Sequence, residues 1–249
     1  CCDSLVHVLT AWTVEMLNTA MILAAGMGSR MGALTETRPK PLLEVKGRAI
    51  IDRLLDHLAV AGVGRAVINL HHGARLLRQH LDSRTDLVIE FSDESDRLLN
   101  TGGGVAKALP LLGNGPFFVI NGDVMWLDGM GNTLQALAAR FQPEKISALL
   151  LMQPTVGAVG YGGVGDFGML PDGQLYRRPE VEVAPFIHTG IQILTPALFL
   201  DCPKAPFSLN RIYDLAADQG RLYGLRHEGR WMELNRPEGL AAAERALED

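Results

Sequence analysis

Between residues 23 and 42 the chain gathers groups that suit an anion. Leu23-Ala24-Ala25-Gly26-Met27-Gly28-Ser29-Arg30-Met31 sets two glycines where backbone N–H groups can approach a phosphate. Arg30 follows, and a guanidinium bridges two phosphate oxygens at once. Farther on, Arg38-Pro39-Lys40-Pro41-Leu42 holds Lys40 between two prolines, each with its own φ fixed, so the ammonium stands on stiff backbone. Two cations on one exposed loop around a phosphate-friendly turn favour a ligand site over a bare surface loop. A dinucleotide fingerprint would need a small residue at position 31, where Met31 sits, and no Gly-Lys-Ser/Thr of a P-loop follows.

The elements that must position this turn read as an alternation. An apolar run over 17–24 predicts the first strand, and Ile50, Ile51, Leu54, Leu55 and Leu58 lie at helical spacing until Gly62 stops them. Strands are predicted over 66–70, 87–91, 117–120 and 146–152, with helices over 74–81, 103–111 and 133–141 between them. Past residue 153 the rhythm breaks into a segment crowded with glycine, from Gly157 to Gly173, which predicts an antiparallel insertion. A strand over 187–194, a helix over 210–219, strands over 221–227 and 230–234, and a closing helix over 237–247 complete the chain. The fold class is α/β, a Rossmann-like wound sheet, mostly parallel but mixed, with helices on both faces and a small β-rich insertion. Ligands of such sheets sit at the carboxyl ends of the strands.

The 249 residues are 47% hydrophobic and 20% charged, a composition that excludes disordered and low-complexity classes. A net charge of −5 excludes a broad basic face for nucleic acid or anionic membrane, so bound phosphate belongs to a small ligand held by a few cations. Cys1, Cys2 and Cys202 form no Cys-x-x-Cys pair and no even framework, which agrees with a reducing cytoplasm. No apolar run reaches the ~18 residues of a bilayer span. Residues 1–15 read as an extension outside the domain, with Met16 as the start; a helix built on Leu5, Val8, Leu9 and Trp12 is the competing reading. Residues 16–249 then form one domain, with a first half to about 125 that carries the glycine turn and a second half, about 126–249, beyond it.

The combined motif Leu-Ala-Ala-Gly-x-Gly-x-Arg-Met, then Leu34-Thr35, then Arg-Pro-Lys-Pro-Leu, resembles the signature of the sugar-1-phosphate nucleotidyltransferases. The resemblance continues through Thr101-Gly102-Gly103-Gly104, Asn121-Gly122-Asp123, Thr189-Gly190-Ile191 and Trp231 to Glu238, nearly everything after residue 16. It implies that the phosphate of a sugar 1-phosphate attacks the α-phosphorus of a nucleoside triphosphate, giving an NDP-sugar and pyrophosphate. Such a reaction asks for positioning and charge neutralisation more than covalent help. Under the resemblance Leu23, Ala24 and Gly26 line the nucleotide, Gly28 and Arg30 meet its outer phosphates, Lys40 neutralises the reacting phosphate, and Thr101 and Gly103 lay helix backbone against base or ribose. Asp123 follows an apolar run and so stands at a strand's carboxyl end, where it and Glu233 would hold Mg²⁺. Relatives carry Asp in a Trp-x-Asp-x-Gly-Thr-Pro-Glu tail; here the tail is Trp231-Met232-Glu233-Leu234-Asn235-Arg236-Pro237-Glu238.

The resemblance also makes Asn121, Gly168, Thr189 and Gly190 sugar contacts, with Arg178 a partner for the sugar's phosphate or, helped by Arg177, for an acidic substituent. UTP with N-acetylmuramate 1-phosphate, in cell-wall sugar recycling, is the expected pair. GTP with mannose 1-phosphate is the alternative, since Glu94 could accept hydrogen bonds from guanine. A regulatory protein that only binds nucleotide sugars is the reading from another class. His188, Trp126 and Trp231 read as packing residues, and His71 and His72 as loop residues. The partners implied are small molecules, with the chain a monomer or small homo-oligomer.

Overall fold

The structure, a computed structural model, describes residues 17–179 and 181–248. The expected extension over 1–15 and the start at Met16 lie outside the described residues.

Strand β1 (Thr19–Leu23) is apolar in every central position because both of its faces are covered. The glycine turn then winds into a 3₁₀ stretch, Ser29–Thr35. A two-residue-per-strand hairpin, β2 (Glu44–Val45) and β3 (Arg48–Ala49), leads into helix α1 (Ile50–Ala61). The predicted stripe of isoleucine and leucine is its buried face, and Gly62, with φ 87°, ends it by donating its N–H to the Ala59 carbonyl. β4 (Arg65–Leu70), α2 (Ala74–Leu81), β5 (Val88–Asp93), α3 (Asn100–Leu112) and β6 (Phe117–Asn121) follow near their predicted spans. β7 (Val124–Leu127) is not among the predicted strands; its apolar residues merge with those before it and only the break at Gly122-Asp123 separates them.

After α4 (Thr133–Arg140) and β8 (Ala148–Pro154), the glycine-crowded segment forms β9 (Ala158–Val159), β10 (Phe167–Met169) and β11 (Leu175–Arg177). β12 (Phe186–Leu194), α5 (Asn210–Asp218), β13 (Leu222–Arg226), β14 (Arg230–Glu233) and α6 (Pro237–Ala246) end the described chain.

The main sheet runs β11-β10-β12-β6-β1-β4-β5, with β8 also on β12 and β13 on β8. β1 pairs in parallel with β4 on one side and β6 on the other, Ile22 lying between Ile68 and Ile120. β12 joins antiparallel to β6 and to β8, so the sheet is mixed from that strand outward. Side chains alternate across the sheet. Ile22, Ile68 and Ile120 pack under α1, α2, α4 and α6, while Met21, Val67 and Val119 pack under α3 and α5. The chain leaves β1 toward β4 and β5 and then returns to β1's other side with β6. That reversal opens a crevice at the carboxyl ends of β1 and β6, the place where wound sheets take ligands.

A smaller sheet, β7-β14-β9, fixes the far wall of the crevice. Its register sets Trp126 opposite Trp231 and Val124 opposite Glu233, and Leu234 N–H donates to the Asp123 carbonyl at 2.9 Å. Residues 123 and 233, far apart in sequence, are therefore brought side by side by strand pairing. Both tryptophans are fully buried packing residues, as expected.

Candidate active site

Two cavities meet in the crevice. The larger, about 570 Å³, is walled by the signature turn from Leu23 to Gly26, by Lys40 and Pro41, by Asn69 and Glu94, and by Leu98, Asn100, Thr101 and Pro206. The smaller, about 170 Å³, is walled by Ile187 to Gly190, Trp231, Glu233 and Asn235. Arg30, Asn121 and Asp123 line both. Two ligands, one in each cavity, would touch across these three residues.

The turn is tied down from within. Thr35 Oγ1 donates to the carbonyls of Gly28 and Gly32 at 3.0 and 3.2 Å, and a Cβ on Gly28 (φ 65°) would sit 2.9 Å from Thr35 Cγ2. Gly28 is thus the hinge of the turn and lies outside both cavity walls. Asn69 Oδ1 accepts from Ala24 N–H at 2.6 Å and from Ala25 N–H at 3.2 Å. The Ala24 N–H is spent inside the protein, so Ala24 offers a ligand only its remaining surface.

Lys40 departs from expectation. It is buried, not exposed, and its Nζ donates to Asp123 Oδ2 at 2.8 Å. Asp123 also faces Glu233, which is half-buried. Burial first, and the Asp123 charge second, push the Glu233 pKa above its ordinary value, while Arg30 and Lys40 oppose that rise. The Asp123 charge that disfavours ionised Glu233, with Arg30 and Lys40 beside the pair, makes a donor set that a hard divalent cation relieves. Among the described residues no cluster of three or more His, Cys, Asp or Glu could hold a metal. A cation here would take its other oxygens from phosphate and water, which suits Mg²⁺.

The helix expected to receive the base is arranged differently. N–H groups of Gly102 and Gly103 both donate to the Phe207 carbonyl, at 2.9 and 3.1 Å, and Leu209 N–H donates to Thr101 Oγ1 at 2.9 Å. A Cβ on Gly102 would lie 2.4 Å from the Phe207 ring. These glycines admit a strap, residues 203–209, and Gly103 faces a separate cavity behind the helix. Of the two nucleotide contacts expected from the helix, Thr101 lines the larger cavity and Gly103 does not. Glu94 is fully buried with both carboxylate oxygens engaged, by Asn69 Nδ2 at 2.7 Å and Leu99 N–H at 2.9 Å, so it is not presented for guanine to read.

On the other side, Asn121, Thr189 and Gly190 do line the smaller cavity. β12 bulges between His188 and Gln192, where Gly190 has φ 79° and a Cβ would come within 2.6 Å of Asn121 Nδ2. Thr189 fixes the bulge through Oγ1, which donates to the Leu151 carbonyl at 2.9 Å. Gly168 and Arg178 are not in the wall. Gly168 pairs with Tyr176 in the outer hairpin, and Arg178 Nη1 donates to the carbonyls of Pro179 and Glu182 at 2.8 and 2.6 Å. Arg177 lies over the Phe167 ring and pairs with Asp214 at 2.8 Å, so it too is turned outward. His188 packs edge-on against Tyr213, and burial lowers its pKa to about 4. His71 and His72 bond the carbonyls of Glu94 and Thr35 at 2.8 and 3.1 Å, as loop residues. Pro41, Asn69, Leu98, Asn100 and Pro206 belong to the larger wall without being singled out by the sequence. Only Pro41, beside Lys40, has a visible signal there.

A wound sheet with a crevice at its reversal, cations at a glycine turn and paired carboxylates opposite defines a phosphate-handling α/β protein. A sequence model of the MobA-like NTP transferase domain matches residues 20–158, and the chain belongs to that family. It is 40% identical to the N-acetylmuramate alpha-1-phosphate uridylyltransferase of Caulobacter vibrioides, over 92% of this chain and 96% of the relative. It is 30% identical to the mannose-1-phosphate guanylyltransferase catalytic subunit beta of Danio rerio, over 88% of this chain and 61% of that one. Among solved structures, UDP-glucose pyrophosphorylase complexed with UDP-glucose superposes with a TM-score of 0.77, at 18% identity, over 93% of this chain and 98% of that one. Sugar nucleotidyltransferases generally use a divalent metal. Among the described residues no helix is long and apolar enough to cross a membrane.

Proposed function

We infer that this chain condenses a nucleoside triphosphate with a sugar 1-phosphate, UTP and N-acetylmuramate 1-phosphate being the pair, and releases pyrophosphate. The observation that carries the reading is the wall shared by the two cavities, Arg30, Asn121 and Asp123, where the two substrates would meet. The pair itself rests on the identity to the Caulobacter relative. Residues to about 125 form the nucleotide half of a single domain and the remainder forms the sugar half.

In this reading the nucleotide occupies the larger cavity against Leu23, Gly26 and Thr101, with its phosphates toward Arg30 and Lys40. The sugar phosphate occupies the smaller one against Asn121, Thr189 and Gly190. An oxygen of the sugar phosphate attacks the α-phosphorus; the bond to the β-phosphate bridging oxygen breaks, and pyrophosphate leaves with the electron pair. Arg30 and Lys40 neutralise the charge that gathers on the phosphoryl oxygens and the leaving group. Asp123 and Glu233 would hold Mg²⁺, which when bound withdraws charge from the phosphate oxygens. Lys40 keeps the Asp123 carboxylate aimed through its ion pair. The substrates are those of the cytoplasm, where the protein would act.

A grid of four nucleoside triphosphates against several sugar 1-phosphates, scored by pyrophosphate release with Mg²⁺, tests this. UTP with N-acetylmuramate 1-phosphate should turn over fastest. A preference for GTP with mannose 1-phosphate would transfer the chain to that activity, and nucleotide binding without any pyrophosphate release would leave it a binding protein.

A further inference from the structure

Glu94 is the one fully buried acidic side chain among the described residues, and it borders the larger cavity. Its Oε1 accepts from Asn69 Nδ2 at 2.7 Å and its Oε2 from Leu99 N–H at 2.9 Å. Asn69 turns its other atom, Oδ1, to the N–H groups of Ala24 and Ala25. One chain of hydrogen bonds therefore runs from the start of helix α3 through Glu94 and Asn69 to the signature turn. The fold makes room for it: a Cβ on Gly104 would lie 2.8 Å from Glu94 Oε1 and 2.9 Å from Asn69 Nδ2.

We propose that Glu94 is a positioning residue for nucleotide transfer, acting through Asn69 on the 24–25 turn and directly on the start of α3. This deepens the function inferred above and rests on it. Every donor in the chain faces an acceptor, and the pattern has one solution. Asn69 must give Oδ1 to two backbone N–H groups, which leaves Nδ2 for Glu94, and Leu99 N–H then demands a second acceptor from the same carboxylate. A glutamine in place of Glu94 would set an amide donor against either Leu99 N–H or Asn69 Nδ2. Flipping Asn69 to escape would only move the conflict to Ala24 and Ala25. Moving the charge along the chain of bonds resolves it. With Glu94→Gln and Asn69→Asp together, the new carboxylate accepts from both backbone N–H groups and from the new amide's NH₂, while that amide's oxygen accepts from Leu99 N–H. A group that read the base would behave otherwise, because exchanging acceptor for donor would alter the choice of base and a change at Asn69 would not restore it.

The test compares wild type, E94Q, N69D and the double variant, as full chains, by affinity for UTP and GTP in calorimetry, by kcat and KM, and by Tm. E94Q should weaken UTP and GTP by the same factor, about 10- to 100-fold, and the double variant should recover to within about threefold of wild type. If E94Q does not fold, recovery of a folded protein in the double variant is the same result read by Tm. The proposal is overturned by a changed UTP-to-GTP ratio in E94Q, or by a double variant no better than the worse single one. If wild type binds nucleotide but makes no NDP-sugar, the reaction assigned above fails, while the affinity and Tm series still decide the role of Glu94.

Discussion

The two halves of the crevice are built by different means. On the nucleotide side one contiguous stretch, 23–42, supplies the largest single share of the wall, and side chains behind it, Thr35, Asn69 and Glu94, pin its backbone. On the sugar side, Arg30 apart, the wall comes from three separated segments, around 121–124, 187–190 and 231–235, brought together by strand register and a bulge. A local motif carries its geometry in its own backbone, whereas an assembled wall depends on pairings that no single stretch encodes. The proposed phosphate chemistry falls where the two constructions touch.

The largest test of that junction is Asp123, which belongs to both walls. Asp123→Asn should lower kcat/KM about 10³-fold, because it removes a proposed metal-binding charge and the partner of Lys40 at one stroke; a loss under tenfold in steady-state kinetics would show that the halves do not meet there. Arg30→Ala should cost about 10²-fold with Tm nearly unchanged, since Arg30 is exposed. Glu233→Gln belongs to the assembled side alone. It should raise the Mg²⁺ needed for half-maximal rate and cut kcat about tenfold, and an unshifted Mg²⁺ titration would leave Asp123 the sole protein ligand.

A smaller effect separates the two sides by pH. His188 belongs to the sugar-side wall, its ring packs edge-on against Tyr213, and burial lowers its pKa from 6.5 to about 4. Between those values the unfolded chain takes up a proton that the folded chain refuses, so stability falls as pH drops through the window. His188→Phe should therefore shrink the fall in Tm between pH 7 and pH 5 by about 2–4 °C, without touching nucleotide affinity. Smallest of all, Arg178→Ala should leave kcat/KM for N-acetylmuramate 1-phosphate within about twofold, because its Nη1 is committed to loop carbonyls. A tenfold rise in KM would return Arg178 to the sugar site.

The same contrast explains what could be read from sequence. The alternation of β-branched runs and helical stripes reveals the wound sheet, and Gly62, with nothing to do but end a helix, marks its boundary correctly. The glycine turn with Arg30 and Lys40 is legible because phosphate chemistry needs those types close together. The burial of Lys40 is not legible, since it comes from Asp123, distant in sequence and delivered by another strand. The glycines after Thr101 look like ligand backbone in one dimension; in three they are space for Phe207, Glu94 and Asn69. Arg177 and Arg178 show the converse, charges that suit an acidic sugar but that the β10–β11 hairpin turns toward Asp214 and loop carbonyls. Glu233 is legible in the tail motif, whereas its nearness to Asp123 comes from the register of β7 on β14.

The strand order has a consequence for how the molecule comes to exist. β1 gains its second neighbour only when β6 arrives, and β6 stays an open edge until β12 pairs with it. Contacts so distant along the chain are slow to close, and unpaired edges invite the wrong partners meanwhile. During synthesis the half that carries the signature turn emerges first but cannot finish its sheet until the bulged strand of the other half is made. The segment that seals the sheet is also the one that shapes the sugar wall, so a chain interrupted before β12 would lose its solubility and its second substrate together.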